Sequence, residues 1–513
     1  MTRTIPPSMR ESRGPICAVI TESTVDAARS AIRRAAGVAD LIEMRLDYLR
    51  DFDFADLTSL LTLLKDKPLP VIITCRALSE GGIQKVDDEI RLRLLVEGAR
   101  AAADYCDIEA AYYDAAAKLS PDLTRLIVSY HNFTETPYDL NGVYDRITVL
   151  PAAIHKIVTR ANGIGDSLAV FRLLDRARID GRNIIALAMQ EPGSMTRIIG
   201  PSRGCFLTYA SLERGRESAQ GQPGCEELRD VFRIHKLTRD TVITGIVGRP
   251  VTHSASPLMH NLAYKALGLD FVYLAFEVDN VGEFFRRFVQ PGTREIDWRL
   301  RGLSVTIPYK TSTASFLDEI DATAEEVGAV NTVVIGDGLV KGYNTDVEGA
   351  IGPLESILPL GDQSCGVIGA GGAARAVTYG LVRKGAHVKI FARDVSKARG
   401  LAESFGVPVA PLDSLQSSDV QIVINATPAG MHGHSEQETP VPRRALRNRL
   451  VAYDLIYNPL ETRFLKDARG EGCQVISGIE MLIAQAALQF KLWTGEQAPL
   501  DLMRRAALEK LST

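Results

Sequence analysis

From Ile16 to Tyr209, short apolar, β-branched runs alternate with stretches of helical periodicity: ICAVI, DLIEMRL, PVIITCR, YCDIEA, RLIVSY, IHKIVT, NIIALAM and GCFLTY. A strand that is apolar along its whole length is one covered on both faces. Eight such strands separated by helices therefore predict a parallel sheet, and eight βα units in about 200 residues predict a closed (β/α)8 barrel of the TIM type. An open doubly wound sheet is the competing arrangement. The polar, glycine-rich run RGRESAQGQPG follows, and a helix over 226–236 is expected to close the barrel. Beyond a boundary near residue 240 a second βα pattern begins with TVITGIVG and continues through VYLAFEV, LSVTI and NTVVI. A distinct unit starts near Asp346 and holds CGVIGAGGAARA, HVKIFARD, VQIVINATP and LVAYDLIYNP, again strand, turn and helix in repetition.

At 513 residues the chain exceeds what one core usually serves, which agrees with a reading in pieces. Apolar residues make up 46%, charged residues 24%, and the net charge is −4, an ordinary globular surface that gives no reason to expect nucleic acid as a partner. Seven scattered cysteines form no CxxC pair and read as reduced thiols in a cytosol. Residues 1–14 are polar and carry two prolines, so a disordered tail is expected rather than a secretion signal. No run reaches membrane-spanning length, so no membrane partner is expected either.

Active sites of (β/α)8 barrels lie at the carboxyl ends of the strands. The polar residues there are Glu43, Arg45 and Asp47, then Thr74 and Arg76, Asp107 and Glu109, His131, Lys156, Arg197, and finally Tyr209, Ser218 and Gln222. Lys156 sits among Ile154, Ile157 and Val158, and an ammonium in apolar surroundings is pushed towards the neutral amine that attacks carbonyls. His131, one strand away, is a candidate to move a proton near neutral pH. Several arginines imply an anionic substrate. Taken singly, Lys156 reads as a strand-end lysine reaching water and Asp107 and Glu109 as structural ion partners; convergence on one barrel mouth favours chemistry.

The stretches EMRLD, TCRALSEGG, SYHNF, HKIV, EPGSMTRIIG and SAQGQPG resemble the type I 3-dehydroquinate dehydratase family over residues 15–239. That resemblance implies an imine between Lys156 and a substrate ketone, with His131 removing the adjacent proton and Glu80 assisting. It places Glu43, Arg45, Arg76, Arg197, Ser218 and Gln222 on the substrate and requires no metal. The family's APGQ reads AQGQ here. A class I aldolase also uses a strand-six lysine and stays open, with RIIGPSRG ambiguous between the two.

Gly369, Gly371 and Ala374 stand in G-x-G-x-x-A spacing between an apolar strand and a helix, the setting in which the motif indicates a dinucleotide. Arg393 and Lys397, at the next strand's end, favour a 2′-phosphate and hence NADP, whereas Asp394 suits the free hydroxyls of NAD. Upstream, THSASPLMHN, LSVTIPYK, GAVNTVV and YNTD collect hydroxyls, amides and the pair Lys310 and Asp346; Ser254 and Ser256 are equally helix caps. Together these resemble the shikimate dehydrogenase family. The resemblance implies a substrate lobe over 240–345, completed by 479–513, and an NADP-binding Rossmann lobe over 346–478. Ser254, Ser256, Thr306, Asn331, Tyr457 and Gln485 then hold substrate beside Lys310 and Asp346 as acid–base pair. Gly369, Ala370, Gly371, Gly372, Ala373, Arg393, Lys397, Ile456 and Gly478 fall on the cofactor. The two families' reactions are consecutive, so a two-reaction enzyme of small-molecule substrates is expected. An NAD-linked quinate or shikimate dehydrogenase and a regulator that has lost catalysis remain the alternatives.

Overall fold

The computed structural model describes residues 14–50, 58–59, 67–84, 86–101, 103–119, 125–213, 215–433, 435–447 and 449–512. The tail expected to be disordered lies outside them, apart from Gly14. Two compact units emerge, one reaching to Thr241 and including the segments Phe276–Asp279 and Glu295–Arg299, the other holding the remainder.

The first unit is built on eight strands: β1 (Ile16–Ile20), β2 (Leu41–Arg45), β3 (Val71–Thr74), β4 (Tyr105–Glu109), β5 (Leu126–His131), β6 (Ile154–Arg160), β7 (Ile184–Met189) and β8 (Thr208–Ser211). They lie in the order β7-β6-β5-β4-β3-β2-β1-β8 with parallel neighbours throughout. A parallel bridge from Ile184 to Cys205 joins the two ends of the sheet. The barrel fold expected from the apolar runs is therefore present. Helices return the chain between strands; Val25–Ala35, for example, is capped by Thr24 and buries Ala28, Ala31, Ile32 and Ala35, one stripe at helical spacing.

Two local expectations fail. The eighth strand begins at Thr208 and not at Gly204, because Pro201–Arg203 is a 3₁₀ turn and Gly204 leaves it in a left-handed conformation, φ 106°. The closing helix over 226–236 is broken into a π-helical turn, Glu227–Val231, and a 3₁₀ turn, Ile234–Lys236. Arg233 between them is left-handed, φ 53°, which no continuous helix tolerates.

Strand side chains alternate, so Glu43 with Arg45, Asp107 with Glu109, Ser129 with His131, and Lys156 with Val158 each share a face. The register sets Thr74 opposite Arg45 and Asp107, and Ser129 opposite Lys156. A single layer of polar groups results from residues far apart in sequence.

The second unit holds two sheets, apart from Phe276, Glu277 and Arg299, which group with the first unit. The first contains β9 (Val242–Gly248), β10 (Phe271–Glu277), β11 (Arg299–Val305), β12 (Glu319–Ile320), β13 (Thr332–Gly336) and β14 (Leu339–Tyr343), ordered β10-β9-β11-β13-β14-β12. It is mixed, with β13 antiparallel to both β11 and β14 and β12 parallel to β14. Helices Gly478–Thr494 and Leu500–Ser512 belong to its core, where Phe490, Trp493, Met503 and Ala507 pack with Met259, Tyr264 and Tyr273.

The other sheet contains β15 (Ser364–Ile368), β16 (His387–Ala392), β17 (Val409–Pro411), β18 (Ile422–Asn425), β19 (Val451–Asp454) and β20 (Gln474–Ile476). All its paired strands are parallel, in the order β17-β16-β15-β18-β19-β20. This is the doubly wound arrangement, and the order reverses between β15 and β18, where such sheets bind nucleotides beyond their carboxyl ends.

Candidate active sites

In the barrel, Lys156 is buried with Nζ 2.8 Å from Asp107 Oδ2 and 3.4 Å from Glu43 Oε1, and 4.3 Å above the Tyr209 ring. Its surroundings are thus not the apolar ones expected from IHKIVT. Of the apolar neighbours in sequence, Ile157 faces the other way on the strand, while the register brings two carboxylates to the amine. Asp107 also takes a bond from Arg76 (2.9 Å) and one from Ser129 Oγ (2.6 Å). Burial alone would raise the Asp107 carboxyl, but the Arg76 and Lys156 charges outweigh it and hold it well below the usual range. Glu109 receives Arg76, the Ala77 backbone N–H and, from helix Asp88–Ala101, Arg91. That anchors the loop leading to Glu80.

Glu80 and His131 form the second feature. The Glu80 Oε2 atom lies 3.0 Å from His131 Nδ1 and accepts the His131 backbone N–H at 3.1 Å. Burial pushes the Glu80 carboxyl up to about 7. Burial, followed by the Arg76 and Lys156 charges, holds the His131 imidazole well below its ordinary value. Burial therefore shifts the two partners in opposite directions, which leaves the His131 ring neutral near pH 7 and available to accept a proton.

Glu43, Arg45, Arg76, Glu80, His131, Lys156, Arg197, Ser218 and Gln222 all line one pocket of about 520 Å³, open mouth included. The arginines are not equivalent. Arg45 is held by Asp47 through two bonds of 2.9 and 2.7 Å, and Arg76 by Asp107 and Glu109. Arg197 is buried with its Nε unsatisfied, and burial lowers the guanidinium to about 10. A ligand carboxylate would relieve that penalty. Ser218 N–H and Oγ both donate to Gln222 Oε1 (2.9 and 3.0 Å), closing the loop after β8 on itself. Phe133, stacked on His131 at 6.2 Å, also lines the pocket and was missed from sequence, although it lies two residues past a strand-end histidine.

In the second unit Lys310 Nζ is 2.6 Å from Asp346 Oδ2, and Asn331 Nδ2 donates to Asp346 Oδ1 at 2.8 Å. Asp346 is the first residue of helix Asp346–Glu355, where a carboxylate suits the helix dipole. Thr306 begins the turn that carries Lys310, with its carbonyl accepting Tyr309 N–H. Ser256 opens helix Ser256–Ala266 and gives its N–H to Ser254 Oγ at 3.2 Å. Gln485 packs where helix Gly478–Thr494 crosses helix Asp346–Glu355; a Cβ on Gly349 would lie 2.8 Å from its Cβ. Tyr457 is half-buried, and burial raises its phenol.

Gly369 directly follows β15 with φ 116°, which favours glycine, and Gly371 is the N-cap of helix Gly372–Arg383 without any side-chain cap bond. A Cβ on Gly371 would meet nothing within 4 Å, whereas one on Gly372 would lie 3.8 Å from Lys310 Cδ. Ala370 and Ala373 share this turn, so it presents free backbone N–H groups beside the Lys310–Asp346 pair. Gly478 touches backbone: a Cβ there would come within 2.5 Å of the Ile456 carbonyl. Arg393 is exposed and unpaired among the described residues, and Lys397 lies 3.8 Å from Asp394. Asp394, which in the sequence suits the free hydroxyls of NAD, is the N-cap of helix Val395–Phe405, with Oδ1 taking Ser396 N–H, Ser396 Oγ and Lys397 N–H.

Family models match in four places: type I 3-dehydroquinase over residues 16–239, shikimate dehydrogenase substrate binding domain over 246–333, coenzyme F420-dependent NADP oxidoreductase over 364–449, and shikimate 5′-dehydrogenase C-terminal domain over 478–508. The chain is 35% identical over 513 residues to the chloroplastic bifunctional 3-dehydroquinate dehydratase/shikimate dehydrogenase of Arabidopsis thaliana, covering 95% of this chain and 83% of that one. It is 42% identical to the NADP(+) shikimate dehydrogenase of Pyrococcus abyssi over 52% of this chain and 98% of that one. A crystal structure of a shikimate dehydrogenase in complex with NADP+ matches with TM-score 0.50 and 41% identity, over 53% of this chain and 96% of that one. The chain belongs to the family of bifunctional 3-dehydroquinate dehydratases/shikimate dehydrogenases.

Proposed function

We propose that the barrel dehydrates 3-dehydroquinate to 3-dehydroshikimate through an imine on Lys156, and that the second unit reduces 3-dehydroshikimate to shikimate with NADPH. The observation that carries the first half is one pocket lined by the buried Lys156 amine, the His131 imidazole and the buried Arg197 guanidinium with its Nε unsatisfied. The substrate carboxylate docks on Arg197. Lys156 gives up a proton, for which Asp107 and Glu43 are the neighbouring acceptors, and its nitrogen adds to the ketone carbon. Loss of water leaves a protonated imine, which acidifies the adjacent C–H. His131 takes that proton; the enamine expels the β-hydroxyl, which leaves as water with the proton returned by His131. Hydrolysis of the imine frees product and restores the amine.

In the second unit the residues fit NADP: an uncapped helix start behind Gly369 and Gly371, an open face at Gly371, and a free Arg393 for a 2′-phosphate. Bound NADPH supplies hydride to the ketone carbon. Lys310 donates a proton to the carbonyl oxygen, Asp346 holds the ammonium in place, and Asn331 fixes Asp346. The engagement of Asp394 as a helix cap supports NADP over the NAD-linked alternative. Lys156 and His131 lining one pocket, and Lys310 in contact with Asp346, support an enzyme over a regulator. A cytoplasmic setting is part of this reading, supported by seven free, buried thiols and by the lack of any described helix long and apolar enough to cross a membrane.

Borohydride reduction in the presence of 3-dehydroquinate, followed by peptide mass analysis, tests the first half. A substrate-mass adduct on the Lys156 peptide is expected; an adduct elsewhere, or none, rules out the imine route. Comparison of NADPH with NADH in 3-dehydroshikimate reduction tests the second, and a clear NADH preference would overturn the cofactor assignment.

A further inference from the structure

Helix Gly478–Thr494 places a second glutamine, Gln489, one turn beyond Gln485 and in the interior, 1% exposed. A buried amide in an otherwise apolar helix face costs stability unless its hydrogen bonds are made. Gln489 makes them in two directions. Its Oε1 accepts from Ser304 Oγ at 2.7 Å, and Ser304 in turn accepts from Tyr273 Oη at 2.7 Å. Its Nε2 donates to Thr332 Oγ1 at 2.9 Å and to the Asn331 carbonyl at 3.3 Å. Since Thr332 Oγ1 accepts from Gln489, its own proton is free to point at Asn331 Oδ1, 2.8 Å away. Thr345 N–H also donates to Asn331 Oδ1 at 2.7 Å. With its oxygen so occupied, the Asn331 amide presents its NH2 to Asp346 Oδ1, which leaves Oδ2 for Lys310.

We infer that Gln489 is a positioning residue for the reductive reaction: through Thr332 and Asn331 it fixes which Asp346 oxygen is left to hold Lys310. The inference rests on the assignment of Lys310 and Asp346 as the acid–base pair. All donors in the chain point one way, from Tyr273 through Ser304 to Gln489 and from Gln489 through Thr332 and Asn331 to Asp346. Every member is buried: Tyr273 0%, Ser304 6%, Thr332 0%, Asn331 2% and Asp346 4% exposed. Solvent therefore offers no substitute partner when one link is removed; Thr345 Oγ1, 3.1 Å from Thr332 Oγ1 and 3.0 Å from Asn331 Nδ2, belongs to the same buried network, whose hydrogen-bond order depends on its links.

The test uses the full chain, in which dehydratase activity reports the folding of the barrel and the KM for NADPH reports that of the second unit. Gln489→Met keeps the volume and removes both sets of bonds. Its kcat for 3-dehydroshikimate reduction is expected to fall about tenfold, as for loss of one or two buried hydrogen bonds, with the KM for NADPH and the dehydration rate unchanged. The solvent deuterium isotope effect on reduction should rise, because proton delivery by Lys310 becomes more limiting. Thr332→Val should give the same pattern, and the double variant should be no worse than either single one. An unchanged reductive kcat and isotope effect in both variants, or additive losses in the double one, would overturn the inference. Undiminished reduction in Lys310→Ala would instead remove the underlying assignment, whatever Gln489 does.

Discussion

The two candidate sites place their proposed reactive lysines in opposite ways. Lys156 projects from the middle of β6 and is buried, and its carboxylate partners come from β2 and β4, so strand register alone sets their spacing. Lys310 sits on a turn after β11, its side chain 22% exposed, and meets its partner at a helix start. Covalent catalysis returns the amine to its starting state each cycle, and a nucleophile whose charge depends on its neighbours needs those neighbours fixed. A proton donor working beside a separately supplied cofactor needs access instead. Strands suit the first requirement, loop and helix ends the second.

The largest break in that comparison is expected from Lys156→Ala. Dehydration should fall by about 10⁴-fold or more, as for loss of a covalent nucleophile, while reduction continues at its normal rate. Separate assays of the two reactions on one preparation check this; parallel loss of both would contradict independent sites. Lys310→Ala comes next, with reduction lowered by about 10²–10⁴-fold, the usual range for a general acid, and dehydration intact.

How far each site was legible in sequence follows the same contrast. The barrel could be read because polar residues at the carboxyl ends of apolar strands converge on one mouth, which is how Glu43, Arg45, Lys156 and His131 were collected. The contact between Lys156 and Asp107 could not, since it depends on the register across β4, β5 and β6. Neither could the depressed His131 imidazole, whose cause is burial beneath charges from other strands. In the second unit the glycine turn carried its own context, strand before and helix after. Asp394 allowed two readings because a residue at a strand's end is also the residue before a helix, and its Oδ1 caps that helix. Gln489 gave no signal, as only tertiary packing distinguishes it from a helix-surface glutamine.

The Glu80–His131 pair sharpens the contrast through pH. Ionised above about 7, Glu80 accepts the His131 Nδ1–H and leaves Nε2 with its lone pair free to act as base. Protonated below that, its O–H competes for Nδ1 and the free lone pair is lost. The kcat/KM for dehydration should therefore rise with pH through about 7. In Glu80→Gln that limb should vanish and the plateau drop by about 10–100-fold. A persisting limb near neutrality would assign the titration to another group. Reduction, which does not use Glu80, provides the control profile.

Gly478→Ala tests how the second unit tolerates intrusion. The new Cβ would stand 2.5 Å from the Ile456 carbonyl carbon and oxygen, so backbone must move. An overpacking cost of about 1–3 kcal/mol falls on the segment proposed to meet the cofactor, and NADPH affinity measured by fluorescence titration should weaken about tenfold or more. Unchanged affinity would show that the segment around Ile456 does not contact the cofactor.

The smallest effect is the one that separates capping from recognition. Asp394 accepts three hydrogen bonds at the start of helix Val395–Phe405, and the bond from Ser396 Oγ is the main cause holding its carboxyl below the ordinary value. If the carboxylate serves the helix, Asp394→Ala lowers the melting temperature slightly, as cap removal does, and leaves the ratio of NADPH to NADH rates unchanged. Were Asp394 instead a ribose ligand, removing its negative charge would favour the 2′-phosphate and raise that ratio several-fold. Asp394→Ser keeps a capping oxygen without the charge, so it should restore the melting temperature. A shift of the cofactor ratio in both variants would reinstate the carboxylate as a recognition group, and a shift in neither would leave Arg393 as the determinant facing the cofactor's adenosine end.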